Sequence, residues 1–301
     1  MIKVKSWISA FRLRTLPLSL SSILMGSIIA YSQDKFMLVI AILAITTTVF
    51  LQVLSNLAND YGDSKKGTDN DNRVGPKRAV QSGAISLREM RNGIITTSLL
   101  SLLSGMGLIY IGLKDYNLAY LVSFFVLGIA SIAAAIKYTI GKNPYGYAGL
   151  GDLFVFLFFG IIGVIGTYFL HTHIFEVTLI LPATSIGMLS ASVLNMNNMR
   201  DIKNDAESNK KTLVVKMGIR KSKTYHTILI IGAITSFTIY LILRESSYTS
   251  FICAIPLPIL ILNLKKVWSF KDNRELDPEL KKLALSTFLL TLLFESALFF
   301  S

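Results

Sequence analysis

The sequence predicts an all-α, polytopic membrane protein, with nine spanning helices around a central cavity in a single domain over residues 1–301. Three observations predict it. Hydrophobic residues make up 52% of the chain and mean hydropathy is +0.56, more apolar than an ordinary soluble domain. Apolar runs recur at the length needed to cross a hydrocarbon core of about 30 Å. The 30 Lys and Arg, which against 18 Asp and Glu leave a net charge of +12, concentrate in alternate connecting segments.

Taken in order, Met1 to Arg14 is basic and amphipathic, and no cleavable leader is expected there. The runs are Leu16–Tyr31, Phe36–Ala58, Gly93–Leu113, Leu118–Ile136, Leu153–Leu170, Val177–Leu194, Thr227–Leu243, Thr249–Leu264 and Leu283–Phe300. They are continuous and too long for barrel strands of about ten residues, which argues helix. Alternating sides from a cytosolic N-terminus puts 27 of the 30 Lys and Arg inside and leaves only Lys35, Lys114 and Arg244 outside. A helix added or removed mid-chain destroys that partition. The expected placement is therefore a multi-pass cell membrane protein, N-terminus cytosolic and C-terminus outside. The basic excess could attract nucleic acid, but a soluble nucleic-acid binder does not carry many apolar runs of spanning length. Cys253 has no partner for an internal disulfide.

Two inner segments stand out. Asn56, Asp60 and Asp63 lie at i, i+4 and i+7; Asn197, Asp201 and Asp205 lie at i, i+4 and i+8. Each set falls on one helical face. Carboxylates so aligned repel unless a cation sits between them, which points to a divalent ion held by Asp60, Asp63, Asn197, Asp201 and Asp205. The clusters follow the second and sixth runs, 141 residues apart from Asp60 to Asp201. That spacing suggests two four-helix halves plus a ninth helix, with inner loops at about 60–91, 137–152 and 200–223 capping the cavity.

Cations beside the carboxylates suggest that the metal arrives with phosphate. Positive-inside sorting alone explains Arg73, Lys77, Arg78, Arg200, Lys210 and Lys211 in inner loops; their neighbours lift Arg78 and Lys211, and Arg73 and Arg200 join them as candidate diphosphate contacts. Asn56 and Asn195 lie in apolar helix ends, where interhelical hydrogen bonding is one reading and substrate binding the other. Asn59 and Asn198 sit at helix ends, available to metal or phosphate. The third inner loop offers Tyr138, Lys142 and Tyr145, with Lys142 one turn from Tyr138, a spacing that serves a phosphate contact beside an electron-rich ring or simple interface anchoring. Asp69 is a softer candidate ligand. His171 and His173 fall on the outer side and receive no role.

These motifs resemble the UbiA superfamily of intramembrane aromatic prenyltransferases. Asn56–Asp60–Asp63, Tyr138–Lys142 and Asn197–Asp201–Asp205 with Lys211 are similar to that family's two Asp-rich motifs and its YxxxK motif. RTLPLS from Arg14, LQVLSNLANDYGD from Leu51, NPYGYAGLGD from Asn143 and LNMNNMRDIKND from Leu194 look most like the group acting on 1,4-dihydroxy-2-naphthoate. One departure is Gly67, where the superfamily often has a further Asp. The resemblance implies Mg²⁺, a polyprenyl diphosphate donor and 1,4-dihydroxy-2-naphthoate as acceptor, within membrane lipid. It implies catalysis by Asp60, Asp201, Tyr138 and Lys142, with loss of CO₂ and diphosphate to give demethylmenaquinone. Other acceptors such as 4-hydroxybenzoate, and a cation-coupled transporter, are the competing readings. The transporter fits less well, since the polar residues gather at one edge rather than the midplane.

Overall fold

The computed structural model describes residues 2–71, 73–244 and 248–299, and every regular element among them is helical. Helix α1 (Ile2–Phe11) leads through a 3₁₀ turn into α2 (Leu16–Tyr31), followed by α3 (Leu38–Lys65), α4 (Leu87–Leu113) and α5 (Leu118–Lys137). A composite helix comes next: α6 (Gly151–Val155), a π-helical stretch Phe156–Gly166 and α7 (Thr167–Thr172). Then follow α8 (Ile180–Glu207), α9 (Leu213–Leu243), α10 (Leu257–Ser269) and α11 (Asp277–Phe299). Among the described residues, eight stretches from Lys3–Tyr31 to Ser250–Ser269 are long and apolar enough to cross a membrane. α11 is a ninth long helix.

Several boundaries differ from the apolar runs, each for a local reason. α3 and α8 continue past Ala58 and Leu194 to Lys65 and Glu207, so both acidic clusters ride on helix rather than loop. α4 begins early because Ser86 and Glu89 close a capping box, satisfying two otherwise orphan donors. Thr212 caps α9 in the same spirit, accepting from the Val215 amide. The run from Thr249 is interrupted by Pro256, so a 3₁₀ turn precedes α10.

The main core joins α2, the π-helical stretch, α8, α9 and α11 through buried residues such as Met25, Val164, Ile186, Ile230 and Phe294. Backbones approach closely there. A Cβ on Gly26 would lie 2.4 Å from the Val164 carbonyl, and one on Gly160 would lie 2.5 Å from that of Ala183. Small residues thus replace the hydrophobic drive that lipid cannot supply between helices. α5 has no buried residue and presents Leu118, Val122 and Val126 outward, as a lipid-facing helix should. A second core, around Leu54, Leu57 and Met90, ties α1, α3 and α4 together at the end of the bundle that carries the acidic clusters. A third, around Ile40, Leu113, Phe169 and Leu170, closes the opposite end.

Candidate active site

Enclosed by these helices is a cavity of about 450 Å³ that changes character along its length. Its mouth is polar, lined by Asn59, Asp63, Asn197, Asp201, Asp205 and Lys210. Below the mouth runs an aromatic wall. Tyr138 meets Tyr145 edge-on at 5.3 Å, Tyr145 stacks on Phe154 at 4.0 Å, and Phe158 continues the row. Deeper still the lining is apolar, down to Leu108, Phe124 and Leu170 of the closing core. Along α3 the lining extends from Ala44 to Asp63, roughly 28 Å at 1.5 Å per residue.

At the mouth, cations connect the two acidic clusters. Lys210 Nζ is 3.1 Å from Asp63 Oδ2 and 3.9 Å from Asp205 Oδ1. Burial opposes its charge, but Asp63 and Asp205 outweigh burial and raise the Lys210 pKa. Arg73 spans from Asp69 (3.2 Å) to Asp201 (3.8 Å). Arg200 forks onto Asp201, with Nε 3.1 Å from Oδ1 and Nη2 2.6 Å from Oδ2. Its remaining donors reach Asn197 at 2.9 Å and Asp277 at 2.5 Å. Buried ions survive only in such company.

Asp69 is almost fully enclosed, and neither of its oxygens has a hydrogen bond of good geometry. Burial pushes its carboxyl up to about 6, with Asp63 adding to the effect and Arg78 and Arg73 opposing it. Arg78 is driven down by burial and by Arg12 and Arg73, and Asp69 Oδ1 lies 3.7 Å from its Nε. Tyr138 is raised by burial and by Asp63, so its ring faces the cavity as a neutral phenol.

The structure brings Asn59, Asp63, Arg73, Arg78, Tyr138, Tyr145, Asn197, Arg200, Asp201 and Asp205 to one cavity. It places the other candidates elsewhere. Asn56 donates from Nδ2 to the Phe11 carbonyl and Thr15 Oγ1, and Asn195 donates to the Ser222 carbonyl; each pins one helix to another segment. Asn198 is buried away from the cavity lining. Asp60 accepts from the Ala79 and Val80 amides and lines a smaller pocket behind the mouth. The reason is angular: the cavity stripe of α3 is Gln52, Ser55, Asn59 and Asp63, and Asp60 stands 100° from Asn59 around the helix. Lys142 is exposed, since Gly141 takes φ 113° and turns the chain outward. Lys211 is exposed while its neighbour Lys210 is buried, because Asn209 in the left-handed region (φ 55°) ends α8.

Sequence motifs did not single out Tyr147, Arg12 or, from α11, Asp277 and Lys281, and they left Lys210 as one more inner-loop cation. Tyr147 donates to Asp63 Oδ1 at 2.8 Å and is 2.6 Å from Thr68 Oγ1. Its signal in the sequence was only proximity to Tyr145. Asp277 had none, lying 72 residues from Asp205.

The donor set suits a hard divalent cation. Asn59 Oδ1 is a buried acceptor without a hydrogen bond in the cavity wall, beside carboxylates and amides that offer only oxygen. Among the described residues, no three His, Cys, Asp or Glu converge on one point as a protein cage would. Mg²⁺ ordinarily takes one or two carboxylates and completes its shell with water and substrate phosphate, so the arrangement fits that mode.

Residues 19–292 match the model of the UbiA prenyltransferase family. The chain is 42% identical to a 1,4-dihydroxy-2-naphthoate octaprenyltransferase of Haemophilus influenzae, covering 98% of this chain and 96% of that one. It is 39% identical to the protein of the same description in Escherichia coli, covering 99% and 96%. Among solved structures, a UbiA homolog from Aeropyrum pernix superposes with TM-score 0.71 at 16% identity over 96% of this chain and 98% of that one. A UbiA homolog from Archaeoglobus fulgidus bound to DMAPP and Mg²⁺ superposes with TM-score 0.61 at 15% identity over 95% and 98%.

Proposed function

The chain belongs to the UbiA prenyltransferase family, and from that premise we propose that it moves a polyprenyl group from polyprenyl diphosphate onto 1,4-dihydroxy-2-naphthoate, as a step of menaquinone biosynthesis. The observation that carries the reading is a single cavity whose polar mouth gives way to an aromatic wall and then to an apolar channel. Each zone suits one part of the substrates. The acceptor assignment is supported by the relatives' described activity.

The donor's tail lies along the apolar depth between α3, α4 and α5, and its diphosphate sits at the mouth. Asp63, Asp201 and Asp205, with Asn59 and Asn197, would hold Mg²⁺, which would supply positive charge to neutralise the departing diphosphate. Arg73, Arg78 and Lys210 face the same anion and stabilise it as the allylic C–O bond breaks and its electron pair leaves with oxygen. The allylic cation left behind meets the faces of Tyr138 and Phe158, which stabilise positive charge and exclude water. The acceptor carbon bearing the carboxylate attacks C1, forming the new C–C bond. The bond to the carboxylate then breaks, its electron pair restores the aromatic ring, and CO₂ departs. The immediate product is the hydroquinone of demethylmenaquinone. No protein nucleophile is required.

With α1 and the acidic ends of α3 and α8 on the cytosolic side of the cell membrane, a water-soluble acceptor meets a lipid-borne donor at the mouth. The test is purified protein in detergent with 1,4-dihydroxy-2-naphthoate, a polyprenyl diphosphate and Mg²⁺. Prenylated product is expected without any ion gradient and is lost with chelator. Product from 4-hydroxybenzoate but not from the naphthoate would reassign the acceptor; no transfer at all would overturn the reading.

A further inference from the structure

Tyr147 is not part of the cavity lining, yet it contacts both Asp63 and Lys210 of the polar mouth. Its hydroxyl is 2.8 Å from Asp63 Oδ1 and 2.6 Å from Thr68 Oγ1. A phenol has one proton and an ionised carboxylate can only accept, so Tyr147 donates to Asp63 and Thr68 donates to Tyr147. The Thr68 carbonyl in turn accepts from Asn204 Nδ2 at 2.8 Å. On the other side of Asp63, Oδ2 accepts from Lys210, whose ammonium also lies 5.3 Å from the centre of the Tyr147 ring and 3.9 Å from Asp205.

These contacts form a closed loop. It runs from Asn204 on α8 to Thr68 after α3, to Tyr147 in the segment before α6, to Asp63 on α3, and through Lys210 back to Asp205 on α8. Three segments distant in sequence are joined there, and Tyr147 is the sole member contributed by the third. A carboxylate whose two oxygens are claimed by different donors has a defined plane. Among the described residues, Tyr147 and Lys210 are the two side chains that hydrogen-bond Asp63, so the Tyr147 bond is the one left if Lys210 engages an anion.

We infer that Tyr147 is a positioning residue, holding Asp63 at the angle and distance from Asp205 needed to share one divalent cation and its diphosphate. The inference rests on the function proposed above. Outer partners of ligating carboxylates typically govern metal affinity by about 10–100-fold. Removing the hydroxyl alone should therefore weaken metal binding while leaving the ring beneath Lys210.

The experiment uses the full chain in detergent, with Mn²⁺ and inorganic pyrophosphate as probe, and reads free Mn²⁺ by electron paramagnetic resonance. Wild-type protein takes up Mn²⁺ in the presence of pyrophosphate. Tyr147→Phe binds it about tenfold more weakly and Thr68→Val about threefold, with melting temperature unchanged. The double variant is no weaker than Tyr147→Phe, because both act through one chain. In prenyl transfer, the Mg²⁺ needed for half-maximal rate rises in parallel while the donor KM at saturating Mg²⁺ stays within about twofold. Unchanged Mn²⁺ affinity in Tyr147→Phe, in a wild type that does bind, overturns the inference and spares the proposed function. Absence of Mn²⁺ binding in the wild type overturns both. If Tyr147→Phe does not fold, Thr68→Val decides alone, and wild-type affinity in it overturns the inference.

Discussion

Two neighbouring lysines show what single residues decide here. Lys210 is buried between Asp63 and Asp205, whereas Lys211 points to solvent, because Asn209 reverses the chain between them and the end of α8. Lys210→Met should raise the donor KM about tenfold or more, since a buried carboxylate pair and the diphosphate both lose a counter-charge. Lys211→Met should leave it unchanged. Steady-state kinetics on the two variants checks the pair. Asp201→Asn, which keeps an acceptor for the buried Arg200, should lower the transfer rate at least 100-fold while the protein still inserts, as judged by yield. Asp69 provides a pH signature. Its carboxyl is held up to about 6, above the value near 4 of an unfolded chain, so ionising it costs folding free energy. That cost is complete above pH 6 and absent below about 4. Asp69→Asn should thus stabilise the metal-free protein at pH 7, by an amount on the order of 3 kcal/mol, and by almost nothing at pH 4. Thermal melts at the two pH values measure the difference.

At the scale of elements, the site depends on helices that outlast their apolar segments. α3 and α8 carry their carboxylates one to three turns beyond the hydrocarbon-length runs, so each acidic cluster has the rigidity of a helix. The periodicity of Asn197, Asp201 and Asp205 was legible and their shared face is the cavity face. On α3 the same periodicity was legible, but which neighbouring stripe faces the cavity was not. A difference of 100° separates Asn59 from Asp60, and only packing against α1 and the 79–80 backbone decides it. The π-helical stretch was also hidden, because a continuous apolar run reads alike in α and π form. Its tight contacts make a further prediction. Gly26→Val has no room beside the Val164 carbonyl and should destabilise the protein by about 3 kcal/mol or more, seen as a lower melting temperature and poor yield. Gly128→Ala, with its nearest atom at 3.9 Å, should be tolerated.

At the scale of the whole molecule, two constraints act: a backbone in lipid must satisfy its own hydrogen bonds, which makes each spanning run a helix, and Lys and Arg near the spans stay on one side, which sets how the helices alternate. Runs of sufficient length, separated by charged segments, leave little freedom in how the chain crosses. Chemistry at the mouth needs a different ingredient. Asp63 and Asp205 are 142 residues apart in the chain, and Lys210 joins them only after four further helical segments have packed. α11 closes the mouth with Asp277 against Arg200, a contact invisible to any local pattern.

Composition, run length and charge alternation sufficed to establish a multi-helix membrane protein, and the spacing of carboxylates and amides singled out the two helix ends that meet at the polar mouth of the cavity. These are local or periodic properties, governed by the 3.6-residue turn and the cost of charge in hydrocarbon. Tertiary structure alone decided which side of α3 faces the cavity, that Lys210 rather than Lys211 bridges the clusters, that Tyr147 contacts Asp63 and that Asp277 lines the mouth. Those outcomes depend on rotations about a helix axis and on single backbone reversals. Such details carry no periodic signature and are set only when distant segments pack.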